Sequence, residues 1–300
     1  MQTPLTQLSD NLAEIVERVS ANVVAVDARP RISSSGVLWS PGIVVTADHT
    51  VQREDIRVRL PGGAEAKATL AGRDRATDIA VLRVESDAAL PSFADPKTLK
   101  AGQLALAIGR AEQGVTAAMG IVSTVGGPWR TWRGGLIDRF VRLDIALFAS
   151  TSGGAVVDTE GAVFGIATSG LSRISAIAVP RTTVDLVVDE LLRRGRIARG
   201  YLGVGLQPVP LPEHLKNRLA LTQHGGVIVL SVEPGGPADS AGVLIGDVLL
   251  KLNGQSLADT DEVQTALGTE SVGSTVKLDL VRGGEVKSVE ATVGERPRKE

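Results

Sequence analysis

Ile43-Val44-Val45-Thr46-Ala47-Asp48-His49 carries a β-branched run into a histidine, and two later stretches set a reactive side chain against the same kind of run. Asp78 stands immediately before Ile79-Ala80-Val81-Leu82-Arg83-Val84, and Ser152 is followed by Gly153-Gly154 and then Ala155-Val156-Val157. Each apolar run reads as a buried strand. The paired glycines let backbone pass close to a reacting carbonyl. A serine hydroxyl is a weak nucleophile at neutral pH, so it needs a base within hydrogen-bond reach and a third group that orients that base. His49, Asp78 and Ser152 fill the roles of base, orienting group and nucleophile. One histidine after a strand is usually structural; three matches in this order, each flanked by a strand, point to a nucleophilic triad.

The rest of the sequence bounds the architecture. A chain of 300 residues with 43% apolar content can bury two cores, and its length favours about two domains. With no cysteine the fold has neither disulfides nor thiolate metal sites and must rest on hydrophobic packing. The balance of 32 basic against 34 acidic residues gives no electrostatic reason to expect nucleic acid or an anionic membrane as partner. Met1-Gln2-Thr3-Pro4-Leu5 does not begin a signal peptide, and no stretch approaches the roughly 20 apolar residues of a membrane span. Residues 9–20 read as an amphipathic helix with Ser9 as N-cap and Leu12, Ile15, Val16 and Val19 on one face.

From about Asn22 to Val179 short β-rich runs alternate with Gly, Pro and Asp turns, which argues for an antiparallel barrel or sandwich. Helix returns at about Thr183–Arg194, where Val184, Val187, Val188, Leu191 and Leu192 form an apolar stripe that ends at Gly195. This helix, with the segment up to Gly200, reads as an interdomain connector.

The segment from about Leu8 to Arg199 resembles the HtrA/Deg family of trypsin-like serine proteases, and the remainder resembles the PDZ domain that follows the protease in that family. Beyond the triad the likeness is carried by Ser35-Gly36-Val37, Thr77-Asp78-Ile79-Ala80-Val81-Leu82, Leu106-Ala107-Ile108-Gly109, Gly120-Ile121-Val122-Ser123 and Ile177-Ala178-Val179-Pro180. Tyr201-Leu202-Gly203-Val204 is similar to the family's carboxylate-binding loop, and Pro234-Gly235-Gly236-Pro237 and Gly246-Asp247-Val248-Leu249 match its PDZ core. The resemblance implies a mainly β protein: a double six-stranded antiparallel barrel followed by a smaller α+β PDZ domain. The expected divisions are a helical segment at 1–21, a protease domain at 22–182, a connector at 183–200, a PDZ domain at 201–294 and a charged tail at 295–300.

The implied activity is serine endopeptidase cleavage of unfolded or damaged polypeptides through an acyl-enzyme, with the PDZ domain receiving peptide C-termini. No metal or cofactor is called for. Ala146, six residues before the nucleophile, predicts small or medium aliphatic side chains on the acyl side of the cut. Ile166, Ala167 and Thr168, within a wall running to about Gly170, complete the expected specificity pocket. In the PDZ domain Tyr201, Leu202, Gly203 and Val204 are the expected peptide-binding loop, where backbone N–H groups take the carboxylate while the peptide adds a strand. Asp259 and Glu262 form a capping box for the helix beside the groove. Its Val263 and Leu267 are read as groove lining or as ordinary core, and both alternatives stand.

One departure from the family pattern bears on activity. Gly-Asn-Ser-Gly-Gly is replaced by Ser150-Thr151-Ser152-Gly153-Gly154, so the oxyanion hole would be formed by the N–H groups of Ser150 and Ser152. A non-glycine residue at positive φ costs on the order of 1–2 kcal/mol. Losing an oxyanion donor costs about 2.7–4 kcal/mol. Ser150 is therefore compatible with an active enzyme, or with a catalytically impaired pseudoprotease that acts as a PDZ peptide-binding scaffold. Thr151 offers no carboxylate to a freed N-terminal amine, so activation by that route is not expected. A homotrimer is a state the resemblance allows, yet a chain with 3% aromatic residues offers no nameable trimer contacts. The loop Asp27–Ser34 is too short to reach a neighbouring subunit. Trp129 and Trp132 read as surface packing, with substrate contact as the alternative. With no signal the expected compartment is the cytoplasm. Removal of an export segment would place the chain in the periplasm instead.

Overall fold

Strands that are apolar at every position need cover on both faces, and the arrangement of the first 14 strands provides it. The computed structural model describes residues 3–268 and 271–295. Helix α1 (Pro4–Ser20) precedes β1 (Val23–Asp27), β2 (Ser34–Ser40), β3 (Ile43–Ala47), β4 (Ile56–Arg59), β5 (Glu65–Asp74) and β6 (Ile79–Val84). These six strands close into an antiparallel barrel in the order β1-β2-β3-β6-β5-β4. Strands β7 (Leu104–Ala111) and β8 (Gly114–Val125) open a second barrel, interrupted by a ribbon of β9 (Trp129–Arg130) and β10 (Leu136–Ile137). Strands β11 (Val141–Asp144), β12 (Ala155–Val157), β13 (Val163–Thr168) and β14 (Ala176–Pro180) complete it in the order β11-β14-β13-β12-β7-β8. Helix α2 (Arg181–Arg194) follows, and this compact unit ends at Ile197.

Alternate residues of one strand enter different cores. Val24, Val26, Val44, Ala80 and Leu82 pack together within the first barrel. Their neighbours Val23, Val45, Ile79 and Val81 join Leu106, Ile108, Val157 and Ile166 of the second barrel in a shared cluster. Each Val, Leu or Ile so buried contributes about 1.5–3 kcal/mol. This two-sided burial is why the strands flanking the triad read as unbroken apolar runs.

Two helical expectations are corrected. Helix α1 begins at Pro4, not at residue 9, because Pro at the first helical position suits the turn and Thr3 caps it by accepting the Thr6 N–H. Helix α2 is not a free connector: Val184, Val187, Val188 and Leu191 are buried in the cluster shared by the two barrels, and Gly195, at φ 71°, ends the helix with its N–H on the Leu191 carbonyl. The passage into the second unit is left to the few residues after Gly195.

The second unit, from Ala198, contains β15 (Gly200–Tyr201), β16 (Val204–Pro210), α3 (Glu213–Leu219), β17 (Gly225–Val232) and α4 (Pro237–Ser240). It continues with β18 (Val248–Leu252), β19 (Gln255–Ser256), α5 (Thr260–Ala266), β20 (Thr275–Arg282), β21 (Glu285–Thr292) and β22 (Gly294–Glu295). The main sheet runs β16-β17-β18-β20-β21 with β19 on β18, while β15 pairs with β22 and so joins the unit's two ends. Strand β16 lies at the edge of that sheet. Asp259 and Glu262 form the expected reciprocal capping box at the start of α5. Glu295 of the expected tail ends β22, and residues 296–300 lie outside the described residues. No helix among the described residues is long and apolar enough to cross a membrane.

Candidate active site

His49 sits in a 3-10 turn, Asp48–Thr50, directly after β3, and Asp78 enters β6. These strands pair with Ala47 opposite Ile79, so the register alone sets the two side chains next to each other. Asp78 has φ 59°, a left-handed conformation that Asp tolerates better than most residues. Its carbonyl accepts the Asp48 N–H at 3.0 Å. Its carboxylate is used on both sides: Oδ1 accepts the His49 backbone N–H at 2.8 Å, and Oδ2 meets His49 Nδ1 at 2.8 Å. A carboxylate only accepts, so neutral His49 carries its proton on Nδ1 and keeps the Nε2 lone pair. The Asp78 side chain is 2% exposed and that of His49 27%, which leaves the imidazole within reach of a substrate.

Ser152 follows a second 3-10 turn, Ala149–Thr151. Gly153, at φ 87°, is required here: a Cβ would stand 2.2 Å from the Ser35 carbonyl oxygen and 2.5 Å from Thr46 Oγ1. Its N–H donates to Ala167 O at 2.8 Å, while the Ser152 carbonyl accepts the Ser35 N–H at 3.1 Å. The nucleophile loop is thus bonded to both barrels.

Three consecutive residues leaving β13 touch Asp78, Ser152 and the His49–Asp78 pair in turn. Thr168 Oγ1 donates to Asp78 Oδ2. Ser169 meets Ser152 Oγ through its hydroxyl at 3.1 Å and its N–H at 3.3 Å. Gly170 passes so close to the His49–Asp78 pair that a Cβ would lie 2.5 Å from Asp78 Oδ2 and 2.7 Å from His49 Nδ1. Among the described residues no hydrogen bond joins His49 to Ser152, whose hydroxyl is engaged by Ser169.

A cleft of about 790 Å³ opens beside His49, lined by Arg53, Arg73, Arg75 and Arg133 together with Asp48 and Glu54. Arg73 binds the Asp48 carboxylate. Burial pushes Asp48 above the usual carboxylate range, and Arg73 opposes that shift. Arg133 also lies 4.4 Å over the exposed Trp132 ring, whereas Trp129 packs edge-on against Phe140.

In the second unit Tyr201-Leu202-Gly203-Val204 joins β15 to β16. The Leu202 carbonyl accepts the Ala238 N–H at 2.8 Å and the Gly203 carbonyl the Glu233 N–H at 2.7 Å. Across a trans peptide the next N–H points the opposite way, so those of Gly203 and Val204 face away from that segment. Gly203 takes φ 76°, and the Tyr201 hydroxyl donates to the Glu233 carboxylate.

Residues 34–166 match a family model described as a trypsin-like peptidase domain, and residues 200–293 match one for a PDZ domain. The solved HtrA-type protease AlgW in complex with a tripeptide is 30% identical with a TM-score of 0.77, over 96% of this chain and 98% of that one. The chain belongs to the HtrA/Deg family of serine proteases. A serine endoprotease from Yersinia pestis superposes on this HtrA chain with a TM-score of 0.78 at 29% identity, over 95% of this chain and 98% of that one. A probable periplasmic DegP-like serine endoprotease of Halomonas elongata is 33% identical over 282 residues, 90% of this chain and 58% of the relative. A protein of the same description from Brucella suis is 33% identical over 280 residues, 90% of this chain and 54% of the relative. The HtrA chain spans a little over half the length of these curated relatives.

Several site expectations for this HtrA chain are corrected by packing. Ile166 and Ala167 are completely buried, in the shared cluster and in the second barrel's core respectively, and do not line a specificity pocket. Thr168 is equally buried and holds Asp78 instead. Ala146 is exposed. Val263 and Leu267 are 2% and 8% exposed within the PDZ core, which favours core packing over groove lining. Ser169 fell within the expected pocket wall, and its contact with Ser152 was not foreseen. Arg29 was also missed: from the short loop after β1 its guanidinium donates to Ala149 O at 2.8 Å, beside the nucleophile turn.

Proposed function

We propose that this chain is a serine endopeptidase that cuts unfolded or damaged polypeptides and captures chain ends with its PDZ domain. The segment Thr168-Ser169-Gly170, which contacts Asp78, Ser152 and the His49–Asp78 pair in turn, carries the reading. Ser152 Oγ exchanges Ser169 for His49 and attacks the peptide carbonyl while His49 Nε2 takes its proton. The C–N bond then breaks as that proton passes to the leaving amine, and water cleaves the acyl-enzyme by the same route. Asp78 keeps the tautomer and stabilises the imidazolium. Ala146 favours small or medium aliphatic side chains at the cut, and the arginines beside His49 favour acidic side chains elsewhere in the substrate. The periplasm, named for the curated relatives, is the compartment we assign.

A second reading, an impaired pseudoprotease that binds peptides, is favoured by the loop before the nucleophile. Ser150 avoids positive φ and lies in the 3-10 turn, where carbonyls run along the axis toward the N–H three residues on. That direction aims the Ala149 carbonyl toward Ser152, and Ser35 Oγ holds the Ser150 carbonyl at 2.6 Å. We take this as a resting loop, with the oxyanion donors of Ser150 and Ser152 formed on rearrangement. Casein digestion and fluorophosphonate labelling of the wild type and Ser152→Ala separate the readings. Cleavage and labelling confined to the wild type support the protease; two inert proteins that still bind peptide C-termini support the scaffold.

A further inference from the structure

We infer that the PDZ unit donates backbone hydrogen bonds only to the last three residues of a bound chain end, because Pro208 and Pro210 remove the donors from its open edge beyond Leu206. This rests on the PDZ reading above and concerns how far that recognition extends.

The direction of each peptide group in β16 follows from one bond. Leu211 donates its N–H to His224 O at 2.9 Å, toward the side on which β17 begins. Pairing from Leu206 opposite Val229 to Pro210 opposite Gly225 is one-to-one without a slip. Backbone groups alternate along an extended strand, so Val209 and Gln207 face β17 while Pro210, Pro208, Leu206 and Val204 face the open edge. Proline has no N–H, and edge strands tolerate it where that N–H would face away from the sheet.

A peptide whose carboxylate rests at Tyr201–Val204, the start of β16, must run antiparallel to that strand. Its last residue then lies opposite Val204, its third from last opposite Leu206 and its fifth from last opposite Pro208. Leu206 offers both an N–H and a carbonyl. Pro208 offers a carbonyl alone, and Pro210 repeats the loss one step further. A shallow hollow of about 300 Å³ lies at this end of β16, lined by Pro208, Val209, Pro210, His224, Gly225 and Ala258, while the open edge itself has no N–H at Pro208 or Pro210. The partner that fits is a polypeptide end whose recognition lies in its final three residues, with almost any sequence upstream.

The test uses the full chain carrying Ser152→Ala, titrated calorimetrically with acetylated three- and five-residue peptides that end in Val, Leu, Ile, Ala or Phe and share their last three residues. The five-residue peptide should bind within about threefold of the three-residue one. Pro208→Ala should tighten the five-residue peptide roughly two- to tenfold, the worth of one added hydrogen bond, without changing the three-residue one. Pro210→Ala should change neither, since its donor would lie opposite a seventh residue. The inference is overturned if the wild type already binds the longer peptide more than tenfold tighter, if Pro208→Ala has no effect, or if both proline variants act alike. C-terminally amidated peptides separate the two levels: equal binding of amide and acid, or no binding of any free-ended peptide, removes the PDZ reading itself and this inference with it.

Discussion

Thr168 donates its hydroxyl to Asp78 Oδ2, the same oxygen that holds His49 Nδ1, and both Thr168 and Asp78 are buried. A hydrogen bond to a buried charged group is worth about 1.5–3 kcal/mol. Thr168→Val keeps the shape and deletes the donor, so kcat should fall roughly tenfold to a hundredfold with little change in KM. Thr168→Ser should restore most of it. Steady-state kinetics on a peptide substrate of all three proteins provide the check, and a fall in KM-limited binding alone would contradict a positioning role.

Gly170→Ala should damage catalysis more than stability. Gly170 is not among the glycines at positive φ, so its backbone accepts alanine, but the new methyl would press on the His49–Asp78 hydrogen bond. Displacement of catalytic groups by about 1 Å costs on the order of a hundredfold in rate, against about 1–3 kcal/mol of stability for an overpacked methyl. Thermal melting alongside kcat tests the split.

Releasing the nucleophile loop should raise activity. Ser150→Gly frees the position to adopt the left-handed backbone that glycine takes readily, and Arg29→Met removes the donor to the Ala149 carbonyl. If the oxyanion donor is absent at rest, its recovery is worth up to about a hundredfold to a thousandfold in turnover. The rate of fluorophosphonate labelling is the direct readout, and slower labelling in both variants would mean the loop is already in its working form.

Acid should loosen the PDZ unit through Asp247. Burial raises the pKa of this carboxyl, but hydrogen bonds from Arg282, at 2.6 and 2.7 Å, and from the Leu244 N–H, at 2.8 Å, outweigh it and hold the pKa below the ordinary value. The folded pKa therefore lies below the unfolded one, and the unfolded chain binds the extra proton. Its stabilisation is complete above about pH 4 and is lost as pH falls through the folded pKa. Asp247→Asn should lower stability at neutral pH by about 1–3 kcal/mol and flatten the acid limb, as read by hydrogen exchange of β18 and β20.

Substrate charge should matter on the His49 side. Arg75→Glu or Arg133→Glu should reduce kcat/KM for peptides bearing acidic residues roughly twofold to fivefold each, with the difference shrinking as salt is added. Neutral peptides of the same length should be cut at unchanged rates.

Individual residues show why parts of this protein could be read from its sequence and others could not. His49, Asp78 and Ser152 stood out through strands buried on both faces, which read locally as unbroken apolar runs. Thr168 was placed in a pocket wall because its partner lies 90 residues away in the chain, in the other barrel. The stripe on α2 was visible as amphipathic, yet nothing local said that its cover is the cluster shared by the two barrels. Val263 and Leu267 likewise had the right periodicity for either a groove or a core.

What the sequence determined by itself is therefore the set of things that short-range sterics and hydrophobic patterning dictate: a succession of short buried strands, the glycine after Ser152, the capping box at Asp259, and the candidacy of His49, Asp78 and Ser152. Only the tertiary structure decided that Arg29 reaches the Ala149 carbonyl, that Ser150 rests in a 3-10 turn, and that Thr168, Ser169 and Gly170 lie against Asp78, Ser152 and His49. Those outcomes depend on how two closed barrels meet, and contacts made by distant residues across such a junction leave no period in either segment's own sequence.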